Sequence, residues 1–230
     1  MVALAAPPQP PPEPVTAPIP RYQTLLPPAT TLHYTLWRAG HAEHAELHWQ
    51  PEGAQYRLTL MGYASEGGFD ADGVAPERHT ESRRGREWRA VNFQRAAGRI
   101  SFSGSQANAA LTPGAQDRLS WLVQLAAVLA AEPALRAPGS MVQMVVAGVR
   151  GEATLWPLQV QDEATLELPA GSVPHALHLR YVPAAAYGLA VDVWLDPARG
   201  YLPVQVQMQR PGSPPDAAGN LLLQLTTAES

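Results

Sequence analysis

The sequence predicts an all-β, mainly antiparallel domain, in which a curved sheet or half-barrel of about a dozen strands wraps one buried α-helix at residues 113–132. Three observations carry this reading. From residue 31 onward apolar and polar residues alternate with period 2, the pattern of strands with one buried face. The links between alternating segments are short and carry Gly, Pro and Asp, too short for the crossover helices that a parallel sheet needs. One segment, near 113–132, is apolar almost all the way round at helical spacing.

Composition sets the outer limits. The chain of 230 residues suits one domain with a substantial core, and two large domains are not expected. Hydrophobic residues at 46% and charged residues at 16% are too apolar a mixture for a disordered chain, yet no apolar run reaches the roughly 18 residues of a membrane helix. A formal net charge of -4 supplies no general basic field, so nucleic acid is not an expected partner. With no cysteine there is no disulfide, thiolate metal ligand or thiol nucleophile. All 16 basic residues are arginine, which excludes Schiff-base and P-loop lysine chemistry.

In chain order, the first element is a proline-rich stretch, with ten of the 24 prolines in the first 28 residues. Residues 1–28 read as a tether, extended or disordered, and 29–230 as a single β half-barrel domain. Extended at about 3.1 Å per residue, residues 7–28 reach roughly 70 Å. Residues 1–6 are apolar but have no charged lead and are too short for a signal peptide's apolar stretch; an origin as the end of a longer targeting segment stays open. Strands follow at 32–38, 45–50, 56–63, 88–93 and 99–103, with Gly53, Asp72-Gly73, Arg84-Gly85 and Gly98 among the links.

Thr112 as a cap, Pro113 at the first helical position and Pro133 as a stop define a helix of about five turns. Leu119, Leu122, Val123, Ala126 and Leu129 form one apolar stripe and Trp121, Leu125 and Val128 a second, with Ser120 and Gln124 the only polar side chains between Leu119 and Ala131. Two stripes need cover on two sides, which a curved sheet gives and a flat one does not. Further strands lie at 141–149, 153–160, 164–168, 175–182, 189–195, 202–209 and 221–227. The segments 189–195 and 202–209 alternate most cleanly, and Asp196-Pro197-Ala198-Arg199-Gly200 between them is turn chemistry, so the two pair as a hairpin.

The run Pro113-Gly114-Ala115-Gln116-Asp117-Arg118-Leu119-Ser120, followed by Gln124-Leu125-Ala126, together with Trp194-Leu195 and Gly200-Tyr201-Leu202-Pro203-Val204, resembles a proteobacterial family of exported proteins known only as a domain of unknown function. The resemblance runs from about Leu26 to about Leu225. In architecture the chain is also similar, more distantly, to periplasmic lipoprotein-carrier proteins, whose half-barrel holds acyl chains. These resemblances imply a fold and a periplasmic or envelope-associated location, although the sequence holds no complete export signal. They imply no reaction.

Several constellations invite chemistry. His41, His44 and His48 would share one face of a helix, with Glu43 and Glu46 nearby, but Gly40 before them and Pro51-Glu52-Gly53 after them are turn signals and favour a strand. On a strand, Ala45, Leu47 and Trp49 face inward and His44, Glu46 and His48 outward, with His44 and His48 about 13 Å apart and unable to share an ion. Phe69-Asp70-Ala71-Asp72-Gly73 lacks the further acidic ligands of a calcium loop and reads as a turn. Arg78, Arg83, Arg84, Arg86 and Arg89 suit an oxyanion, yet Glu77, Glu81 and Glu87 are interleaved, as at a solvated hairpin end. His175 and His178 point to opposite faces of a strand. No Gly-x-Ser-x-Gly, Gly-x-Gly-x-x-Gly or His-Glu-x-x-His pattern occurs. Trp49, Trp88, Trp121, Trp156 and Trp194 read as core or groove aromatics.

The expected function is that of a non-enzymatic envelope protein that binds an apolar ligand, a lipid or a lipoprotein segment on the concave side of the sheet. Trp121, Leu125, Ala126, Trp88 and Trp156 would line that side. No catalytic residue, metal or cofactor is expected, and an envelope protein is a candidate partner. Two alternatives stay open: a protein-interaction scaffold with a filled core, and a hydrolase whose His and acid are brought together by folding.

Overall fold

The computed structural model describes residues 18–184 and 188–229. Among them, fifteen strands and one α-helix follow one another along the chain. The first eight strands are β1 (Thr30–Arg38), β2 (His41–Glu52), β3 (Gln55–Leu60), β4 (Tyr63–Asp70), β5 (Gly73–Arg83), β6 (Arg86–Gln94), β7 (Arg99–Phe102) and β8 (Ser105–Ala110). Then come β9 (Gln116–Asp117), α1 (Trp121–Ala131), β10 (Met141–Ala147), β11 (Ala153–Leu168), β12 (Gly171–Tyr181), β13 (Ala190–Asp196), β14 (Leu202–Gln209) and β15 (Leu221–Glu229). All strands belong to one open sheet in the order β8-β7-β6-β5-β4-β3-β2-β1-β15-β14-β13-β12-β11-β10-β9. Every pairing is antiparallel except that of β9 with β10. The topology is two meanders that meet where β1 pairs with β15. Residues 111–115 carry the chain from one edge strand, β8, to the other, β9, with α1 following before β10, and the all-β expectation, mainly antiparallel around one buried helix, matches this arrangement.

The expected elements need four corrections. The helix begins at Trp121, not 113, because Thr112-Pro113-Gly114-Ala115 makes a tight turn: the Ala115 N–H reaches the Thr112 carbonyl (3.2 Å) and Gly114 sits at φ 67°. Proline second and glycine third are the residues that a type II turn asks for. The strand expected at 56–63 stops at Leu60, and β4 and β5 form a long hairpin that alternation does not signal, since YASEGGFD and GVAPERHTESR are rich in Gly and charge. The segments 153–160 and 164–168 are one strand, β11, bent by irregular register near Val160 and Ala164. The short edge strands β8 and β9 were also not anticipated.

The main core lies between α1 and the concave face of the sheet, where Leu32, Leu47, Leu58, Val142, Leu158, Leu179, Val193, Val204 and Leu225 meet the helix. A second, smaller cluster joins Val91, Phe93, Ile100 and Phe102 of β6 and β7 to Val145, Ala147 and Val149 at β10, so the two ends of the curved sheet approach each other without pairing. The described part of the proline-rich segment lies against this body. The Leu25 N–H bonds the Ala127 carbonyl (2.9 Å), Trp49 Nε1–H bonds the Pro27 carbonyl (3.0 Å), and Arg21 forks onto Asp72 (2.6 and 2.9 Å). Residues 1–17, with most of the expected tether, lie outside the described residues. No described helix is long and apolar enough to cross a membrane.

Candidate functional site

Four of the five expected ligand-lining residues meet inside the sheet, and they meet as core. Trp121, Leu125 and Ala126 are 0% exposed and Trp156 is 1% exposed. Trp121 packs edge-on against Trp156 (5.5 Å between centroids), Trp156 stacks on Tyr181 (4.6 Å), and Arg118 lies over Trp156 (4.9 Å). All residues from Trp121 to Leu129 are buried. A void of about 10 Å³ beside Gln124 has room for no more than a water. Two larger hollows open elsewhere, one of about 410 Å³ among Gln50, Glu52, Tyr56, Arg57, Glu66 and Glu77, and one of about 240 Å³ beside Trp37, Met208, Leu221 and Leu222.

Polar residues fix the helix to the sheet. Asp117 Oδ1 accepts the N–H groups of Leu119 (2.7 Å) and Ser120 (2.8 Å), satisfying donors at the start of the helical segment, and Ser120 Oγ accepts the Asp117 N–H (3.0 Å). The Gln124 side chain accepts from the Val74 N–H (2.8 Å) and donates to the Asp72 carbonyl (2.6 Å), standing in for a strand partner at the start of β5. Gln116 Nε2 donates to the Val74 carbonyl (2.7 Å). At the other end, Arg136 donates to the Leu129 and Ala130 carbonyls (2.7 and 2.9 Å), closing the helix C-terminus.

Beneath this lies a buried His, acid and Ser constellation that linear reading did not bring together. Ser65 donates to Asp117 Oδ2 (2.5 Å), Tyr56 bonds Ser65 (2.9 Å), and His79 Nδ1 lies 3.4 Å from Asp117 Oδ1. The single Ser65 hydroxyl proton is committed to Asp117, so Tyr56 is the donor to Ser65. Burial first and the Asp117 carboxylate second push the Tyr56 phenol well above its usual range, consistent with a neutral donor. A hydrolytic triad needs the imidazole between nucleophile and acid. Here the carboxylate sits between Ser65 and His79, and Ser65, His79 and Asp117 are each 0% exposed. The cluster locks the β9–α1 segment to β4 and β5 and has no access for a substrate.

Trp88, expected beside the other tryptophans, is on the surface at 47% exposure. It sits at the tip of the β5–β6 hairpin, and β7 pairs with β6 only from Val91 onward, so no third strand covers it. The guanidinium groups of Arg83 and Arg89 lie over its ring at 4.8 and 4.2 Å. Arg84 stands in the turn and Arg86 follows it, while Arg78 pairs with Glu87 (2.6 Å). Five arginines stand against two glutamates between residues 78 and 89, in a chain of net charge -4.

The run at 41–48 is strand, as expected, with Ala45, Leu47 and Trp49 buried. The Phe69–Gly73 segment is the β4–β5 turn, tightened by Asp70 accepting the Asp72 N–H (2.8 Å). His178 stacks on Trp194 (4.4 Å) and meets Asp192 (2.7 Å), while His175 pairs with Glu163 (3.0 Å), so the two histidines have separate partners.

Residues 29–212 match the family described as "Protein of unknown function (DUF3108)". The curated proteins give no match to the sequence. Among solved structures the chain is similar to Pseudomonas aeruginosa MucB in its complex with MucA, at 13% identity and a TM-score of 0.32, over 87% of this chain and 51% of that one. Two further MucB structures, one with MucA(peri) at 12% identity and one of MucB at 13% identity, each give a TM-score of 0.32 over 87% of this chain. The chain spans about half the length of these structures, 49% and 52% in the last two.

Proposed function

Because the chain belongs to the DUF3108 family, whose description assigns no activity, its own geometry has to supply the function, and we propose a non-enzymatic, envelope-associated protein-interaction module with a filled core. The observation that carries this reading is the unbroken burial of α1 from Trp121 to Leu129, which leaves no space for an apolar ligand between the helix and the sheet. A fatty acyl chain would have to displace the helix, whereas lipid sites are commonly preformed concavities. Partner contact is assigned to the hairpin tip around Trp88. An exposed Trp framed by Arg83 and Arg89 has the composition of interface hot spots, and the excess of arginine fits an acidic protein segment. The envelope location rests on the exported family that the stretches at 113–120 and 200–204 resemble.

The test places a photo-crosslinking residue at position 88 of the full chain in cells, beside the same residue at His175 on another strand. A discrete protein adduct at position 88, lost when Arg83 and Arg89 are changed to Glu and absent at position 175, is expected. A fluorescent fatty-acid probe should show no saturable binding at micromolar protein. Saturable binding that Ala126→Phe abolishes would overturn the filled-core reading, and equal adducts at both positions would overturn the assignment of the tip.

A further inference from the structure

Strand spacing keeps His44 and His48 from sharing an ion, but the pairing of β1 with β2 supplies a ligand from outside the run. His33 on β1 stands directly opposite Glu46 on β2. Side chains two apart on one strand are about 6.6 Å apart at their bases and those directly opposite about 5 Å, so His33, His44 and Glu46 make a compact triangle on the outward face. Glu46 Oε1 lies 3.3 Å from His33 Nδ1 and 3.0 Å from His44 Nε2, and one donor atom from each of the three residues lies within 4.8 Å of the others. The His33 and His44 rings stack at 5.7 Å and 19°. His48 completes the surroundings: Nε2 meets Glu46 Oε2 (3.1 Å) while Nδ1 meets Thr31 Oγ1 (3.2 Å).

We propose that His33, His44 and Glu46 form a binding site for a late first-row divalent cation of the zinc class, with His48 as a positioning residue for the Glu46 carboxylate. Two imidazoles and one carboxylate suit zinc, nickel or copper and are a poor set for magnesium or calcium, which prefer all-oxygen shells. Donors about 2.1 Å from a tetrahedral ion stand about 3.4 Å apart, a triangle that small side-chain rotations reach from these distances. The His33 side chain is largely covered, whereas that of His44 is 63% exposed, so an ion enters from solvent and keeps one position open toward it. A hydrogen bond from His48 to the far carboxylate oxygen holds the orientation of Glu46, as groups behind metal ligands commonly do. The site lies on the β1–β2 face and does not depend on the assignment of the Trp88 tip.

The experiment is calorimetric titration of zinc chloride into the tag-free full chain, with magnesium chloride as control and NMR observation of the imidazole signals. One zinc per chain should bind saturably, magnesium should give no heat, and the shifts should centre on His33 and His44. His33→Gln and Glu46→Gln should each weaken zinc by about tenfold or more, and His48→Gln by less, while His41→Gln and His175→Gln leave it unchanged. Glu46→Gln alters a side chain that is 39% exposed and decides the matter if His33→Gln fails to fold. No saturation by about 100 µM zinc, undiminished binding by Glu46→Gln, or shifts centred on His41 or His175 would overturn the site.

Discussion

Asp117 serves three donors with one buried carboxylate: two N–H groups before the helix and the hydroxyl of Ser65. Removing it leaves all three without an acceptor in a dry interior. Asp117→Ala should therefore cost about 3–5 kcal/mol in urea denaturation, while Ser65→Ala, which removes one of the three donors, should cost about 1–2 kcal/mol. Equal effects would mean that the carboxylate does not anchor the segment. The two tryptophans that the sequence groups together should separate in the same assay. Trp121→Ala empties a fully buried site and should cost about 3–5 kcal/mol, while Trp88→Ala at the exposed tip should stay within about 0.5 kcal/mol. A Trp121 change below about 1 kcal/mol would contradict the enclosure of the helix. Tyrosines give a pH signature. Burial raises the phenols of Tyr34 and Tyr56 above the ordinary 10.0, so above pH 10 the unfolded chain releases protons that the folded chain still holds. The associated stability is complete below pH 10 and falls as pH rises, by about 1.4 kcal/mol per unit for each phenol. Urea midpoints should drop steeply from pH 10 to 11.5, less steeply in Tyr34→Phe, and the tyrosinate absorbance of these residues should appear only with unfolding.

At the scale of elements, residues 18–28 behave as part of the domain in their contacts. Tyr22 and Leu26 pack against the core, and the Tyr22 hydroxyl accepts the Gln143 N–H (2.8 Å). Deleting residues 1–28 should destabilise the protein by about 2–4 kcal/mol, from the partial burial of those two side chains, whereas a tether ending at residue 28 predicts no change in the urea midpoint. The helix and most strands were legible because their physics is local: circumferential apolar residues need enclosure, and alternation marks a half-buried strand. The start of the helix is ambiguous in the sequence because Pro113 fits both a first helical turn and a type II turn, and only the pairing of Gln116 and Asp117 with Val146 and Ala147, thirty residues away, decides between them. Long strands β4 and β5 were hidden because their stability comes from neighbours, with Gly67 packed so closely that a Cβ would collide with the Ala75 carbonyl oxygen. The histidine triangle was illegible for the same reason: the run at 41–48 shows two of its members, and His33 joins only through the β1–β2 register.

Across the whole molecule, the two hydrophobic clusters differ greatly in extent, and the difference should govern how it opens. The large one surrounds α1 and draws on both meanders, including the β1–β15 seam that pairs residues near the two ends of the domain. The small one holds β6 and β7 against β10, without hydrogen bonds between those strands. Cooperative units with few buried apolar side chains open at lower free energy than the global transition. The β6–β8 edge should therefore open as a unit while the helix and the seam stay closed, which places the Trp88 tip on the more yielding part of the sheet. Native-state hydrogen exchange gives the measure: amides of β7 and of β6 beyond Ala90 should exchange through a subglobal opening, whereas those of β1, β2, β14 and α1 should exchange only with global unfolding. Val91→Ala should raise the exchange of the first group with less effect on the second, since it weakens only the small cluster. Uniform protection across both groups would mean that the open sheet unfolds as one unit and that the near approach of its ends holds as firmly as a paired seam.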